Sequence, residues 1–351
     1  MTDLSMADPD QLVTLGIDTH LDTHVAAALD ARGVLLDSIV LPTTPGGSQA
    51  LLDWAASFGT IDRVGIEGTG SYGAGLARWL RAQGVVVLEV DRPDRRARRS
   101  RGKSDALDAE AAARAVQSGR VSGLPKAGDG QVEAIRALRI ARRSAVDARS
   151  RVANQLHALR VTAPDDLRVE LGGLSLTRLA QRAARFRLMG PVSEPRAAAR
   201  MALRSLAVRY LALGVEAARL DRELERLVTQ VAPQLVARPG IGIQIAAQLL
   251  VTVGDNPTRV HSEAAFAMLT GTAPIPASSG KTQRHRLNRG GDRQANAMLH
   301  LLTLQRIRCD PRTRTYLQRR TAEGKSTKEI MRCLKRYLAR EVYGLLLASP
   351  A

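Results

Sequence analysis

Over the first third of the chain, short apolar runs alternate with turn-forming residues, and their lengths predict strands before they predict helices. Val13-Thr-Leu-Gly-Ile-Asp18 is a short run of β character. His24-Val-Ala-Ala-Ala-Leu-Asp30 follows, then the turn-like Ala31-Arg-Gly33, then Val34 to Leu41. Three runs joined this closely predict consecutive antiparallel strands. Thr43-Thr-Pro-Gly-Gly-Ser48 reads as a breaker cluster. From Ala50 to Phe58 the apolar spacing becomes helical, and Arg63-Val-Gly-Ile-Glu67 returns to a strand that ends on a carboxylate. Gly75 to Gln83 predicts a helix and Val85 to Val90 a fifth strand. Ser104 to Gln117 is alanine-rich and helical, with Ser104 at its N-cap.

The resulting order, β-β-β-α-β-α-β-α, is that of an α/β RNase H/RuvC-like domain. A doubly wound dinucleotide fold alternates strand and helix from its start. After residue 130 the pattern turns helical. Leu206, Leu213, Leu220 and Leu227 recur every seven residues, with Tyr210, Ala217, Leu224 and Val231 four residues after each, which is an a/d seam. Leu138, Ala145, Val152 and Leu159 repeat at the same period, flanked by Ala141 and Ala148. The two segments pair either as an antiparallel hairpin within one chain or as a coiled coil between chains. Past Ala237 the chain restarts at Arg238-Pro-Gly-Ile-Gly-Ile243, runs through a Gly/Ser/Pro-rich loop and closes with basic helices. Three regions are expected: 12–120, an α/β domain; 130–235, a helical coiled-coil region; and 236–350, a mostly α-helical domain.

Charge then narrows the function. The 351 residues hold 52 Lys+Arg against 34 Asp+Glu, a net charge of +18, which implies a polyanionic partner. No apolar run approaches the roughly 18 residues of a membrane span, so nucleic acid leads over a membrane. Arginine outnumbers lysine, so a basic protein from a GC-rich genome, or one that sits on the ribosome, carries the same excess. Aromatics are only 3%, which favours backbone contacts by arginine over base stacking. Met1 to Gln11 carries three aspartates and no basic stretch, unlike a secretory signal. Cys309 and Cys333 form neither metal-ligand spacing nor a disulfide framework, so a reducing cytoplasm is expected.

Four carboxylates carry the candidate chemistry. Asp18 ends the first strand and Glu67 the fourth, and in the expected sheet these strands are neighbours. Asp105 and Asp108 are three apart on a helix and share a face. Converging carboxylates repel unless cations lie between them, and such hard oxygen donors suit Mg²⁺ or Mn²⁺. Ions of this kind activate an attacking oxygen and stabilise a leaving one in phosphoryl transfer. Taken singly, each acid reads better as an ordinary surface residue, and Asp105 as a favourable charge at a helix start, but their joint placement on strand ends and one helix face favours a shared site. A sugar-kinase or actin-type ATPase also opens with an Asp on a β-β-β unit, with Gly68-Thr-Gly70 as its phosphate loop; the positive charge argues against that.

Arg92, Arg95, Arg96, Arg98, Arg99, Arg101 and Lys103 precede the Asp-x-x-Asp helix and read as phosphate contacts beside the acids, or as a solvated loop. Pro239-Gly-Ile-Gly242 resembles a helix-hairpin-helix turn, where the N–H groups of Gly240 and Gly242 approach a phosphate. A plain tight turn explains it as well. The loop Pro274-Ile-Pro-Ala-Ser-Ser-Gly-Lys281, with Arg284, His285, Arg286 and Arg289 after it, reads as phosphate-binding, with a serine nucleophile as the minority reading.

Together, Gly16-Ile-Asp18, Ile66-Glu-Gly-Thr-Gly-Ser-Tyr72, Lys103-Ser-Asp-Ala-Leu-Asp-Ala109, Pro239-Gly-Ile-Gly242 and the Ser-Gly-Lys loop resemble the DEDD transposases of the IS110 group of insertion sequences, over nearly the whole chain. The resemblance implies a RuvC-like DEDD domain, a coiled coil and a C-terminal transposase domain. It implies a bridge-RNA-guided serine recombinase that pairs a structured non-coding guide RNA with double-stranded donor and target DNA. The acidic tetrad then falls on Asp18, Glu67, Asp105 and Asp108, with Mg²⁺ or Mn²⁺. The nucleophile falls on Ser279, with Ser278 as the alternative, giving a phosphoserine and a free 3′-hydroxyl. Tetrad and serine would come from different protomers of a homodimer assembling to a tetramer, in the bacterial cytoplasm at the nucleoid. The competing readings are a metal-dependent RuvC-like nuclease or Holliday-junction resolvase acting by hydrolysis, and a non-catalytic nucleic-acid-binding protein.

Overall fold

The computed structural model describes residues 11–90, 104–121, 123–187, 189–281 and 285–348. The chain divides into two compact units, residues 1–130 with 253–262, and residues 131–252 with 263–350.

The first unit is built on a mixed five-stranded sheet. Its strands are β1 (Leu12–Thr19), β2 (Thr23–Leu29), β3 (Leu35–Pro42), β4 (Thr60–Glu67) and β5 (Val87–Val90), in the order β3-β2-β1-β4-β5. β1, β2 and β3 are antiparallel neighbours, whereas β4 and β5 run parallel to β1. The helices are α1 (Pro45–Ala56), α2 (Ala74–Ala82) and α3 (Asp105–Gln117). Two-residue alternation on β1 divides the packing between the two faces of the sheet. Leu15 and Ile17 enter a core with Leu51, Ala55, Leu76 and Leu80 of α1 and α2. On the other face, Val25 and Ala27 of β2 pack with Ala109 of α3.

One local expectation is corrected. Thr43 and Thr44 break β3 from α1 as expected, but Pro45 to Ser48 already belong to the helix. Thr44 is the N-cap, its hydroxyl accepts from Gly47 N at 3.1 Å, and Pro45 occupies the first turn, where its missing N–H costs nothing. Ser104 is the N-cap of α3 with extended backbone, although its side chain makes no capping bond.

The segment 253–262 belongs to the first unit through specific bonds. Asn256 Nδ2 donates to the Pro125 carbonyl at 3.0 Å, and Ala127 N donates to Asn256 Oδ1 at 2.8 Å.

The second unit is helical. Its elements include α4 (Gln131–Thr162), α5 (Asp165–Leu171), α6 (Leu176–Ala183), α7 (Pro195–Val231), α8 (Pro233–Val236), α9 (Ile243–Val253), α10 (Glu263–Leu269), α11 (Arg293–Cys309), α12 (Pro311–Ala322) and α13 (Thr327–Leu347), with a short hairpin of β6 (Ile275–Pro276) and β7 (His285–Arg286). α4 and α7 pair within the chain and run antiparallel: Arg142 bonds Asp221 at 2.6 Å, and Arg149, seven residues on, reaches back to the Tyr210 hydroxyl at 3.0 Å. The seam follows the expected a/d row only in part. Leu203, Ala207, Tyr210, Ala217, Leu220, Leu224 and Val228 are buried, whereas Leu206, Leu213 and Leu227 are half-buried at its flank. Small residues face the partner helix, and at Gly214 the Arg149 guanidinium fills the space a side chain would take.

Candidate functional site

Two neighbouring strands carry matching Gly-Ile-acid tripeptides in the same register. Gly16-Ile17-Asp18 on β1 lies beside Gly65-Ile66-Glu67 on β4, with Gly16 opposite Gly65 and Ile17 opposite Ile66. Alternation sends both isoleucines into the core and turns both glycines and both acids to the opposite face. The glycines make room for α3. A Cβ on Gly16 would lie 2.0 Å from the Ala109 carbonyl oxygen and 2.2 Å from Ala113 N. A Cβ on Gly65 would lie 2.5 Å from Val116 Cγ2. The alanine-rich helix therefore rests directly on strand backbone, with Ala109, Ala112, Ala113 and Val116 all buried. Its first turn, with Asp105 and Asp108, comes down at the C-terminal end of β1.

There the donors meet. His20 Nε2 lies 3.9 Å from Asp18 Oδ2 and 3.9 Å from Asp105 Oδ1. One ligand atom from each of Asp18, His20 and Asp105 falls within 4.8 Å of the others. Burial pushes the Asp18 carboxyl above the usual carboxylate range; His20 pulls it back, while Asp105 and Asp108 push it further up. Asp108 is buried. Glu67 is level with Asp18 by strand register, and Thr19 Oγ1 ties the two strand ends by donating to the Glu67 carbonyl at 2.8 Å.

The turn after Glu67 is equally fixed. Gly68 has φ +76°, and its carbonyl accepts from Ser71 N at 2.8 Å and Gly73 N at 3.1 Å. Thr69 Oγ1 donates to Glu89 at 2.7 Å, and Arg259 holds the other oxygen of that carboxylate at 3.3 Å.

His20 is the residue that sequence reasoning missed. Its signal was the Asp-x-His spacing at a strand end, two residues being the distance at which side chains return to one face. Its Nδ1 is buried without a hydrogen-bond partner among the described residues. Carboxylate oxygens and an imidazole, with Asp18 held toward its neutral form chiefly by burial, make a donor set that fits a divalent cation. Asp18, Asp105 and His20 would hold the ion, with Asp108 and Glu67 beside them.

The other expected residues lie elsewhere. Arg92, Arg95, Arg96, Arg98, Arg99, Arg101, Lys103 and Arg284 fall outside the described residues. In the second unit, Ser278, Ser279, Gly280 and Lys281 are exposed between β6 and β7, and Gly280 turns the chain with φ +53°. His285, Arg286 and Arg289 are exposed just after them. Gly240 and Gly242 form the turn from α8 into α9. Gly240 packs on α11, where a Cβ would meet Leu302 and Gln305 at 3.3 Å, and Gly242 is exposed at the start of α9. Asp221 and Glu225 line the same hollow as this turn.

No helix among the described residues is long and apolar enough to cross a membrane. Residues 15–161 match a family model of DEDD type described as a transposase, and residues 232–318 match one described as the transposase IS116/IS110/IS902 family. The chain is 34% identical over 151 residues to an insertion element IS110 uncharacterized 43.6 kDa protein of Streptomyces coelicolor, covering 41% of this chain and 35% of that protein. It is 28% identical over 144 residues to an insertion element IS900 uncharacterized 42 kDa protein of Mycobacterium paratuberculosis, covering 40% of this chain and 36% of that one. The chain thus spans about a third of the length of the curated relatives it matches.

Proposed function

We propose, for a chain that belongs to the IS110 family of transposases, that it is the transposase of an insertion sequence and acts on double-stranded DNA by phosphoryl transfer. The observation that carries this reading is the gathering of Asp18, His20 and Asp105 donor atoms within 4.8 Å of one another, inside the segment that the DEDD model spans. We assign Asp18, Glu67, Asp105 and Asp108 as the acidic tetrad and add His20 to it. A divalent ion bound there would supply charge neutralisation at a phosphodiester.

What the chain's own residues do follows from their places. The Gly16/Gly65 platform fixes the height of Asp105 and Asp108 over Asp18. The Thr19 and Thr69 bonds hold the ends of β1 and β4 still. Ser279, exposed beside Gly280, is the proposed nucleophile. Its Oγ attacks phosphorus, the bond from phosphorus to the 3′-oxygen breaks, and that oxygen leaves protonated as a 3′-hydroxyl, leaving a phosphoserine. Lys281, His285, Arg286 and Arg289 are cations placed to hold the phosphate charge, with Arg284 and the arginines from Arg92 to Arg101, Lys103, Gly240 and Gly242 as further nucleic-acid contacts. Guidance by a structured non-coding RNA, and assembly of dimers into a tetramer, belong to the same reading.

The test is a denaturing gel of protein with labelled DNA spanning the element's ends, in Mg²⁺, with and without RNA transcribed from the sequence flanking the gene. A covalent adduct is expected that disappears in Ser279→Ala and in Asp18→Asn. An adduct that survives in Ser279→Ala but vanishes in Ser278→Ala would move the nucleophile by one residue. Hydrolysed strands with no adduct, unchanged in both serine variants, would replace this reading with the metal-dependent nuclease.

A further inference from the structure

Beside the serine loop, the second unit holds a cavity of about 660 Å³ between the hairpin flanks and α12–α13. One wall is Gly271 to Pro274 and His285 to Asn288, the two strands' worth of chain that lead into and out of the exposed serines. The opposite wall comes from the end of α12 and the first three turns of α13. That volume is in the range of sites for small organic ligands, roughly 300–1,000 Å³.

The lining is cationic, and its charges divide into two groups. Arg336 is held by Glu263, Arg320 by Glu323, and the buried Lys335 donates to Asn296 Oδ1 at 2.8 Å. These three are structural. Arg286, Lys325 and Arg332 make no salt bridge within 4.0 Å among the described residues, although Lys325 and Arg332 share the field of Glu329. Glu329 is the single acid in the lining, and it is engaged: it accepts from Ser326 N at 3.0 Å and from Ser326 Oγ at 2.7 Å in the capping box of α13. Positive charge therefore exceeds what the protein uses internally. The cavity also holds an aromatic face. Tyr337 lines it, is 54% exposed, and stands edge-on to Tyr316 with ring centroids 5.6 Å apart.

We infer that this cavity takes one unpaired nucleotide of a nucleic-acid strand, its phosphates on Arg286, Lys325 and Arg332 and its base stacked on Tyr337. An anion pocket alone would need no exposed ring, and an apolar pocket would not gather three cations against one acid; a nucleotide needs both. Because the hairpin flanks form one wall, a strand seated here passes the root of the serine loop. The inference rests on the reading of the chain as a nucleic-acid enzyme, but it concerns a site outside the tetrad and the serines.

The test uses the full chain in Ca²⁺, with fluorescence anisotropy on a blunt DNA duplex, the same duplex with a three-nucleotide overhang, and that overhang made of RNA. The wild type is expected to prefer an overhang over the blunt end, and the preferred sugar identifies the source of the strand. Tyr337→Leu should cut that preference roughly five- to tenfold, as loss of one base–aromatic stack does, while Tyr337→Phe retains it. Lys325→Ala and Arg332→Ala should each lower the slope of log affinity against log salt by about 0.7 for the overhang, which Tyr337→Leu should leave alone. Blunt-duplex affinity and melting temperature serve as controls in every variant. Tight blunt-end binding with no overhang preference, or a preference that all three variants keep, would overturn the cavity and leave the proposed function standing. Binding of none of the three probes would overturn both.

Discussion

Gly16→Ala is the most telling single change, because it adds one methyl group and touches no charged atom. The new Cβ would sit 2.0 Å from the Ala109 oxygen and 2.2 Å from Ala113 N, and both are backbone atoms that no rotamer can move. Protein Cβ atoms come no nearer than about 3 Å to such atoms, so α3 must retreat from β1 by about 1 Å. Two costs follow. Overpacking of this kind typically destabilises by roughly 1–3 kcal/mol, and a collision with rigid backbone belongs at the top of that range. The retreat also lifts Asp105 and Asp108 from Asp18, and a misplacement of about 1 Å in a reacting constellation costs on the order of 10²-fold in rate. Thermal unfolding, Mn²⁺ binding by electron paramagnetic resonance, and DNA cleavage would be read together. Gly65→Ala should be milder, since its nearest neighbour is the Val116 side chain at 2.5 Å, and Val116→Ala should largely rescue it. Gly75→Ala on α2 meets nothing within 4 Å and should leave all three readouts intact, or raise stability slightly. A Gly16→Ala protein with wild-type Mn²⁺ affinity and melting temperature would refute the claim that strand–helix contact sets the site.

Three further outcomes are expected. Mn²⁺ at about 100 times its Kd should stabilise the protein by about 2.7 kcal/mol, and Asp18→Asn should abolish the shift in unfolding midpoint. Burial, helped by His20, holds the His24 imidazole below its ordinary 6.5, so the unfolded chain takes up the proton first; stability should be full above about pH 6.5 and fall below it, and His24→Gln should flatten that part of a pH series of chemical denaturation curves. Asp292 caps α11 through Gln294 N at 2.8 Å and Ala295 N at 3.1 Å, and also accepts from the buried Thr252 hydroxyl at 2.7 Å. Asp292→Ala should therefore cost roughly 2–4 kcal/mol by calorimetry, with much of it returned by Asp292→Asn.

The strand order and the helix carrying Asp105 and Asp108 were legible because turns and period-two alternation mark strand ends without help from distant residues. Asp18 and Glu67 were legible for the same reason: each closes a short apolar run. His20 was not, because an Asp-x-His spacing at a strand end is common, and it gains meaning only when the helix arriving from far along the chain brings Asp105 to it. The start of α1 was misread because Pro and Gly punctuate turns and also open helices, and only the Thr44 cap decides between them. The α4–α7 seam was legible only in part, with Tyr210, Ala217, Leu220 and Leu224 buried where the heptad puts them. Heptad reading weights leucines, but alanines and a glycine let the helices approach closely and moved the buried row off Leu206 and Leu213. The cavity under the serine hairpin left no local trace at all, since its cations come from the hairpin and two helices.

The matched tripeptides of β1 and β4 have one further consequence. A one-residue slip of either strand would point its acid at the oily side and press an isoleucine against α3, where there is room for a hydrogen atom. The carboxylate pair and the seat for the helix therefore exist in one alignment only. A chain that is still folding, or that has folded wrongly, carries every residue of the centre and none of its arrangement. If the chain cuts DNA as proposed above, correct folding is its safety catch.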